Sequence, residues 1–168
     1  MIRKQSIILL LTLLIAACST VGAKLEGQYY LNKADYEGGK KAFAARLADN
    51  SDDASANYYM GRFELGAGRP EAAKPYIHKA VSLEPQNADY HFWEGVTWWS
   101  LQQTEKEKAA YEKTLALNPE HQEAMLYLGH NMLDRGRNTE AIALYDRVLA
   151  KDPKEQNALF NKAVALER

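Results

Sequence analysis

Only one cysteine occurs in the 168 residues, which excludes an internal disulfide framework and any CxxC metal knuckle. A surplus of positive charge is missing too. Lys and Arg number 21 against 22 Asp and Glu, and no Lys/Arg-rich run occurs, so the phosphate-neutralising surface of a nucleic-acid binder is absent. The apolar run over residues 7–17 falls short of the roughly 20 residues that a membrane-spanning helix needs. Signals of catalysis are scarce. His78, His91, His121 and His130 show no i,i+4 pair of the kind that holds zinc on a helix. Neither a GxSxG elbow nor a GxxxxGK[ST] phosphate loop appears. The sequence therefore predicts no enzyme, metal, cofactor, small-molecule substrate or nucleic-acid partner.

What is present is a globular composition, 46% apolar and 26% charged. At its start, Arg3 and Lys4 precede the apolar run of residues 7–17, which ends in the small pair Ala16 and Ala17. A basic start, a short apolar core and small residues at its end are the pattern of a secretory signal, expected to be cleaved as segment 1–17. The alternative, a buried core helix, would need a polar second face that this run lacks.

Leu14, Ile15, Ala16, Ala17 and Cys18 resemble the lipobox of bacterial lipoproteins. The resemblance implies a diacylglycerol on the Cys18 sulfur, cleavage before it and a lipidated N-terminus at 18–19. Several acyl chains on one residue anchor stably where one chain is marginal. The resemblance also makes the membrane a partner through this lipid. Ser19 stands where an aspartate marks retention in the inner membrane, so the implied location is the outer membrane, facing the periplasm.

Beyond residue 19 the sequence repeats every 34 residues, the check to make before any fold assignment. Gly27, Gly61, Gly95 and Gly129 are in step, as are Pro85, Pro119 and Pro153, and Phe43, Ile77, Tyr111 and Tyr145. The repeats are 20–53, 54–87, 88–121 and 122–155, with a partial fifth at 156–168. Repeat four adds Met125, Leu128, Met132, Gly136, Ala141 and Val148 at fixed positions, and repeat two adds Met60, Gly68, Ala73 and Ala80.

This pattern resembles the tetratricopeptide repeat (TPR) over nearly all of 20–168. It departs at Ser51, which replaces the closing proline, at Gly39, and at Glu107, which replaces a small residue. The resemblance implies an all-α, right-handed superhelical solenoid of antiparallel helix pairs: about four repeats plus a final single helix. Hairpins are expected near 33–37, 67–70, 101–105 and 135–139. Gly at position 8 permits close approach of the paired helix, and Pro at position 32 ends the second helix because it pushes the residue before it out of the α region. Gly38 and Gly39, at the start of a helix, and Pro75, inside one, predict soft or kinked segments.

In such a stack the first helices line a concave groove. Positions 2, 5, 9, 12 and 13 point there, about 140° around the helix from the packing stripe. Candidate groove residues are Tyr58, Arg62, Leu65, Phe92, Val96, Trp99, Leu126 and His130. Of these, Tyr58, Phe92, Trp99 and Leu126 are expected to form one exposed apolar strip. Trp98, at position 11, belongs to the core. The carboxylate clamp of chaperone-binding TPR proteins is not reproduced: Lys24 fits its first place, but Gln28, Tyr59, Asp89 and Trp93 occupy the others. The sequence thus predicts a membrane-tethered adaptor or assembly factor in the envelope, serving pilus, secretion or cell-wall machinery, with a protein or peptide in the groove. Two alternatives stay open: the repeat domain of an envelope enzyme whose catalytic part lies elsewhere, and a structural spacer.

Overall fold

The computed structural model describes residues 21–168, and the expected signal, cleavage site and lipid-acceptor Cys18 lie outside the described residues. Helix α1 covers residues 21–32 of the described chain. It is followed by α2 (Tyr36–Asp49), α3 (Ala54–Gly66), α4 (Pro70–Leu83), α5 (Ala88–Ser100), α6 (Thr104–Leu117), α7 (Gln122–Asp134), α8 (Asn138–Lys151) and α9 (Gln156–Glu167). Among the described residues there is no strand. The all-α helix-pair solenoid read from the sequence is the fold observed. The helices gather into two lobes, one ending at Leu83 and the other running from Glu84 to Arg168.

Two kinds of turn generate the repeat. Within each helix pair the chain reverses through a left-handed residue: Ala34 (φ 52°), Gly68 (73°), Gln102 (57°) and Gly136 (71°), each 34 residues apart. At Gly136 the N–H bonds the Leu133 carbonyl at 3.0 Å and the next N–H, of Arg137, bonds Met132 at 2.9 Å. The same pair of bonds recurs at the other three turns, so all four are Schellman closures. Between repeats, a side chain at the last repeat position caps the next helix. Asp53 Oδ1 accepts from Ala56 N–H at 2.8 Å, Asn87 Oδ1 from Asp89 N–H at 3.1 Å and His121 Nδ1 from Ala124 N–H at 3.2 Å, with Glu155 capping α9 likewise. Each cap satisfies an otherwise orphaned helix donor.

The glycine column does what its spacing implied, with a refinement. A Cβ on Gly61 would lie 2.5 Å from Ile77, and one on Gly129 would lie 2.6 Å from Tyr145. On Gly95 it would collide with Tyr111, so in these three repeats the glycine seats the bulky residue of its own second helix. Gly27 instead seats Tyr59, from α3. Pro85, Pro119 and Pro153 each sit two residues beyond the end of a helix. The residues before two of them are extended, Asn118 at φ −133° and Asp152 at φ −123°. Asn50 is extended as well (φ −146°) although Ser51 replaces the proline; its Oδ1 accepts from Asp52 N–H at 3.1 Å, and the same bond recurs at Asn118 and Asp152, so this side-chain turn is shared whether or not proline follows.

The expected softness has a different meaning in the structure. A Cβ on Gly38 would meet the capping Asp35 carboxylate, and one on Gly39 would lie 2.6 Å from Phe63, so both glycines answer local crowding. Pro75 does not delay α4, which begins at Pro70, the first-turn position that suits proline.

In the N-terminal lobe the core is aromatic. Phe43 stacks edge-on with Phe63 at 5.4 Å and tilts against Tyr59 at 5.3 Å, and Ile77 closes the α3–α4 pair. In the C-terminal lobe, Tyr111, Met125, Leu128, Met132, Tyr145 and Val148 form one core, to which α9 contributes Ala158 and Ala165.

Candidate groove on the first helices

The proposed groove residues divide by burial. In the N-terminal lobe Tyr58 is 9% exposed, with its ring 4.9 Å from Tyr59. Arg62 lies over the Tyr58 ring at 5.3 Å and donates to its hydroxyl at 3.0 Å, while Leu65 is half-buried. In the C-terminal lobe Phe92 is 7% exposed. Tyr111, Tyr127 and the imidazole of His121, at 5.8, 5.6 and 4.8 Å, enclose it. Tyr58 and Phe92 are therefore not parts of a water-exposed strip. Periodicity fixes the direction in which a Cβ leaves the helix, but an aromatic ring is long enough to bend onto a neighbouring helix and be covered there.

Trp99 is different. It is 49% exposed and meets Tyr127, itself 37% exposed, edge-to-face at 6.2 Å. Val96 and Leu126 are half-buried against the core of the same lobe. His130 is exposed and faces Asp134 at 3.4 Å. Tyr127, at repeat position 6, was outside the groove set read from the sequence. No residue-type signal marks it, because that position is otherwise a packing position, as Tyr59 shows.

Among the buried ionisable groups are two carboxylates, Glu64 and Glu107. Glu64 is buried and bonded to Lys40 (2.9 Å) and Arg69 (2.6 Å), and Arg69 also reaches Glu37 at 2.6 Å. Burial alone would raise the Glu64 pKa, but the two cations outweigh it and hold the carboxyl below its ordinary value. Glu107 has no such cation. Burial pushes its carboxyl up, opposed in part by a hydrogen bond with Asn131. Tyr145, with its hydroxyl buried, is pushed up to about 12 by burial. Glu64 joins α2, α3 and the start of α4 through its cations, and Glu107 joins α6 to α7 through Asn131. Among the described residues no group of three or more His, Cys, Asp or Glu side chains is arranged to hold a metal ion. Among them also, no helix is long and apolar enough to cross a membrane.

Comparison with known proteins gives the family. Two models described as "Tetratricopeptide repeat" match residues 60–107 and 108–166. No curated protein sequence matches at a significant level. Solved structures share the fold at low identity. The MamA protein is 21% identical, with a TM-score of 0.75, over 88% of this chain and 81% of its own. PilF from Pseudomonas aeruginosa is 17% identical, with a TM-score of 0.81, over 90% and 69%. YrrB, described as a TPR protein with an unusual peptide-binding site, is 21% identical, with a TM-score of 0.71, over 84% and 73%. With Gly61, Gly95 and Gly129 seating the second helices of their repeats and its four equivalent turns, the chain belongs to the tetratricopeptide-repeat family.

Proposed function

We propose that this chain is a protein-interaction adaptor, tethered to the cell-envelope membrane through a lipid on Cys18, that receives a protein or peptide segment on the groove face of its first helices. The observation that carries the reading is the Trp99–Tyr127 pair, two aromatic side chains left partly in water at the contact of two first helices. Half-exposed tryptophan and tyrosine are enriched at the energetic centres of interfaces, because a partner removes a large apolar area while a polar tip keeps a hydrogen bond. The peptide-binding site named for YrrB supports a peptide occupant on this fold. The lipobox-like residues Leu14 to Cys18 support the tether, and Ser19 favours the outer membrane. The family's use as scaffolds supports assembly of pilus, secretion or cell-wall machinery over catalysis.

Two experiments test the two halves separately. Trp99→Ala combined with Tyr127→Ala, once melting shows it folded, is expected to lose capture of native envelope partners. A folded double variant that keeps every partner at wild-type strength would overturn the groove. Cys18→Ala is expected to abolish labelling by a fatty-acid analogue and stable membrane attachment; continued labelling would overturn the tether.

A further inference from the structure

Val21, Leu25 and Tyr29 follow one another at i,i+4 spacing along α1 and are 60%, 70% and 56% exposed. The buried Ala23 and Gly27 lie on the opposite side of the helix. Leu25 and Tyr29 hold repeat positions 6 and 10. Their counterparts in the second repeat, Tyr59 and Phe63, are 4% and 0% exposed, because Tyr59 is seated on Gly27 and Phe63 packs on Gly39 and Phe43 of the first repeat. The outer face of α1 is thus built like an internal packing face. An end repeat that borders water carries a polar outer face instead. The polar groups around the stripe are ordered along it. Val21 and Leu25 come first, Tyr29 follows, and the stripe runs out in Asn32 and Lys33, whose Nζ lies 5.7 Å from the Tyr29 ring centre. Lys24, also exposed, flanks Leu25, whereas Glu26, the one carboxylate of α1, is half-buried and leaves the helix about 100° away from Leu25.

We propose that this stripe lies on the bilayer surface, with Val21 and Leu25 in the headgroup–acyl boundary and Lys24 and Lys33 among the lipid phosphates. The inference rests on the tether reading and adds to it a protein surface that meets the lipid. Proximity argues for the bilayer as the occupant. Cys18 stands three residues before Val21, and three extended residues span at most about 11 Å. A lipid on Cys18 therefore holds α1 at the membrane. The stripe's contact becomes intramolecular, so three apolar side chains suffice where they would bind weakly from solution. The order of residues matches depth: aliphatic side chains nearest the acyl chains, then a tyrosine whose apolar ring and polar tip suit the interface, then an amide and a cation at headgroup level. A carboxylate on this stripe would oppose approach to anionic lipids, and α1 has none there.

The test uses the full chain, purified with its lipid and reconstituted into vesicles of phosphatidylethanolamine and phosphatidylglycerol. Leu25→Cys carries an environment-sensitive fluorophore, since the acylated sulfur of Cys18 does not react; Ser82→Cys, exposed on α4, is the control. Quencher groups on the lipid acyl chains are expected to lower emission at position 25 at least about twofold more than at position 82, with a blue shift on reconstitution. Adding Val21→Ser and Tyr29→Ser should bring quenching at position 25 down to the control level, while melting and fatty-acid labelling stay as in the parent chain. Lipidated protein whose label at position 25 stays in water overturns the inference and leaves the tether standing. A blue shift that the lipid quenchers do not touch shows the stripe packed on a second copy of the chain and overturns it as well. So does quenching that survives the Val21→Ser and Tyr29→Ser pair unchanged. A chain that takes up no fatty-acid label overturns both readings.

Discussion

At the residue scale the left-handed turn column sets the sharpest expectation. Gly68 and Gly136 accept positive φ freely, whereas Ala34 and Gln102 hold φ of 52° and 57° with a Cβ in place. A non-glycine residue in that region costs about 1–2 kcal/mol, part of which a glycine returns through its looser unfolded chain. Gln102→Gly is therefore expected to stabilise the protein by about 0.5–1 kcal/mol, and Gly136→Ala to destabilise it by about 1 kcal/mol. Chemical denaturation midpoints measure both. Glu107 gives a pH signature. Its carboxyl titrates above the ordinary 4.5 in the folded state because burial opposes the charge. Folding is then unpenalised while the group is protonated in both states, and it loses stability as pH rises from about 4.5 through the folded value. Glu107→Gln should match the wild type at pH below 4.5 and melt at higher temperature at neutral pH. A constant offset across that range would show that the ionised form carries no cost.

Elements were legible where one residue type answers one steric demand. Every first helix from α3 onward begins on the first residue of its repeat, and the glycine and proline columns marked those boundaries. The capping column was not legible. Asp53, Asn87, His121 and Glu155 share one position and one task, but histidine and glutamate are poor signals of an N-cap, so the column looks like loop variation. The turn column was hidden in the same way, because Ala34 and Gln102 give no hint of positive φ. The groove was legible only in part. Spacing placed Trp99 on an open face, yet it could not foresee that His121 and Tyr111 cover Phe92, or that Tyr127 lies partly exposed beside Trp99. Asp53 is the cap with the most to lose, since it also pairs with Arg46 at 3.3 Å. Asp53→Ala is expected to destabilise the protein by about 1–2 kcal/mol, read from thermal melts, while Asn87→Ser should stay within about 0.5 kcal/mol because serine caps as well.

Across the whole molecule the four helix-pair turns are superimposable in their hydrogen bonding, and no insertion disturbs the period from Ala34 to Gly136. That regularity has a consequence for heredity. An in-frame loss of the codons for 122–155 would join His121 directly to Gln156, placing one helix start where another had been. The cap, the buried alanine that follows it (Ala158 in place of Ala124) and the phase of the reading frame all survive the junction. Such a shortened gene product is expected to remain helical by circular dichroism and to unfold cooperatively at a lower denaturant concentration, because each repeat adds a neighbouring interface. Loss of an internal fragment that is not a whole number of repeats would put a capping position out of register with its helix and is expected to leave a product that folds poorly. Unequal crossing-over between copies of this gene would therefore yield viable lengths in steps of one repeat, so lineages can lengthen or shorten the protein without first passing through a broken form.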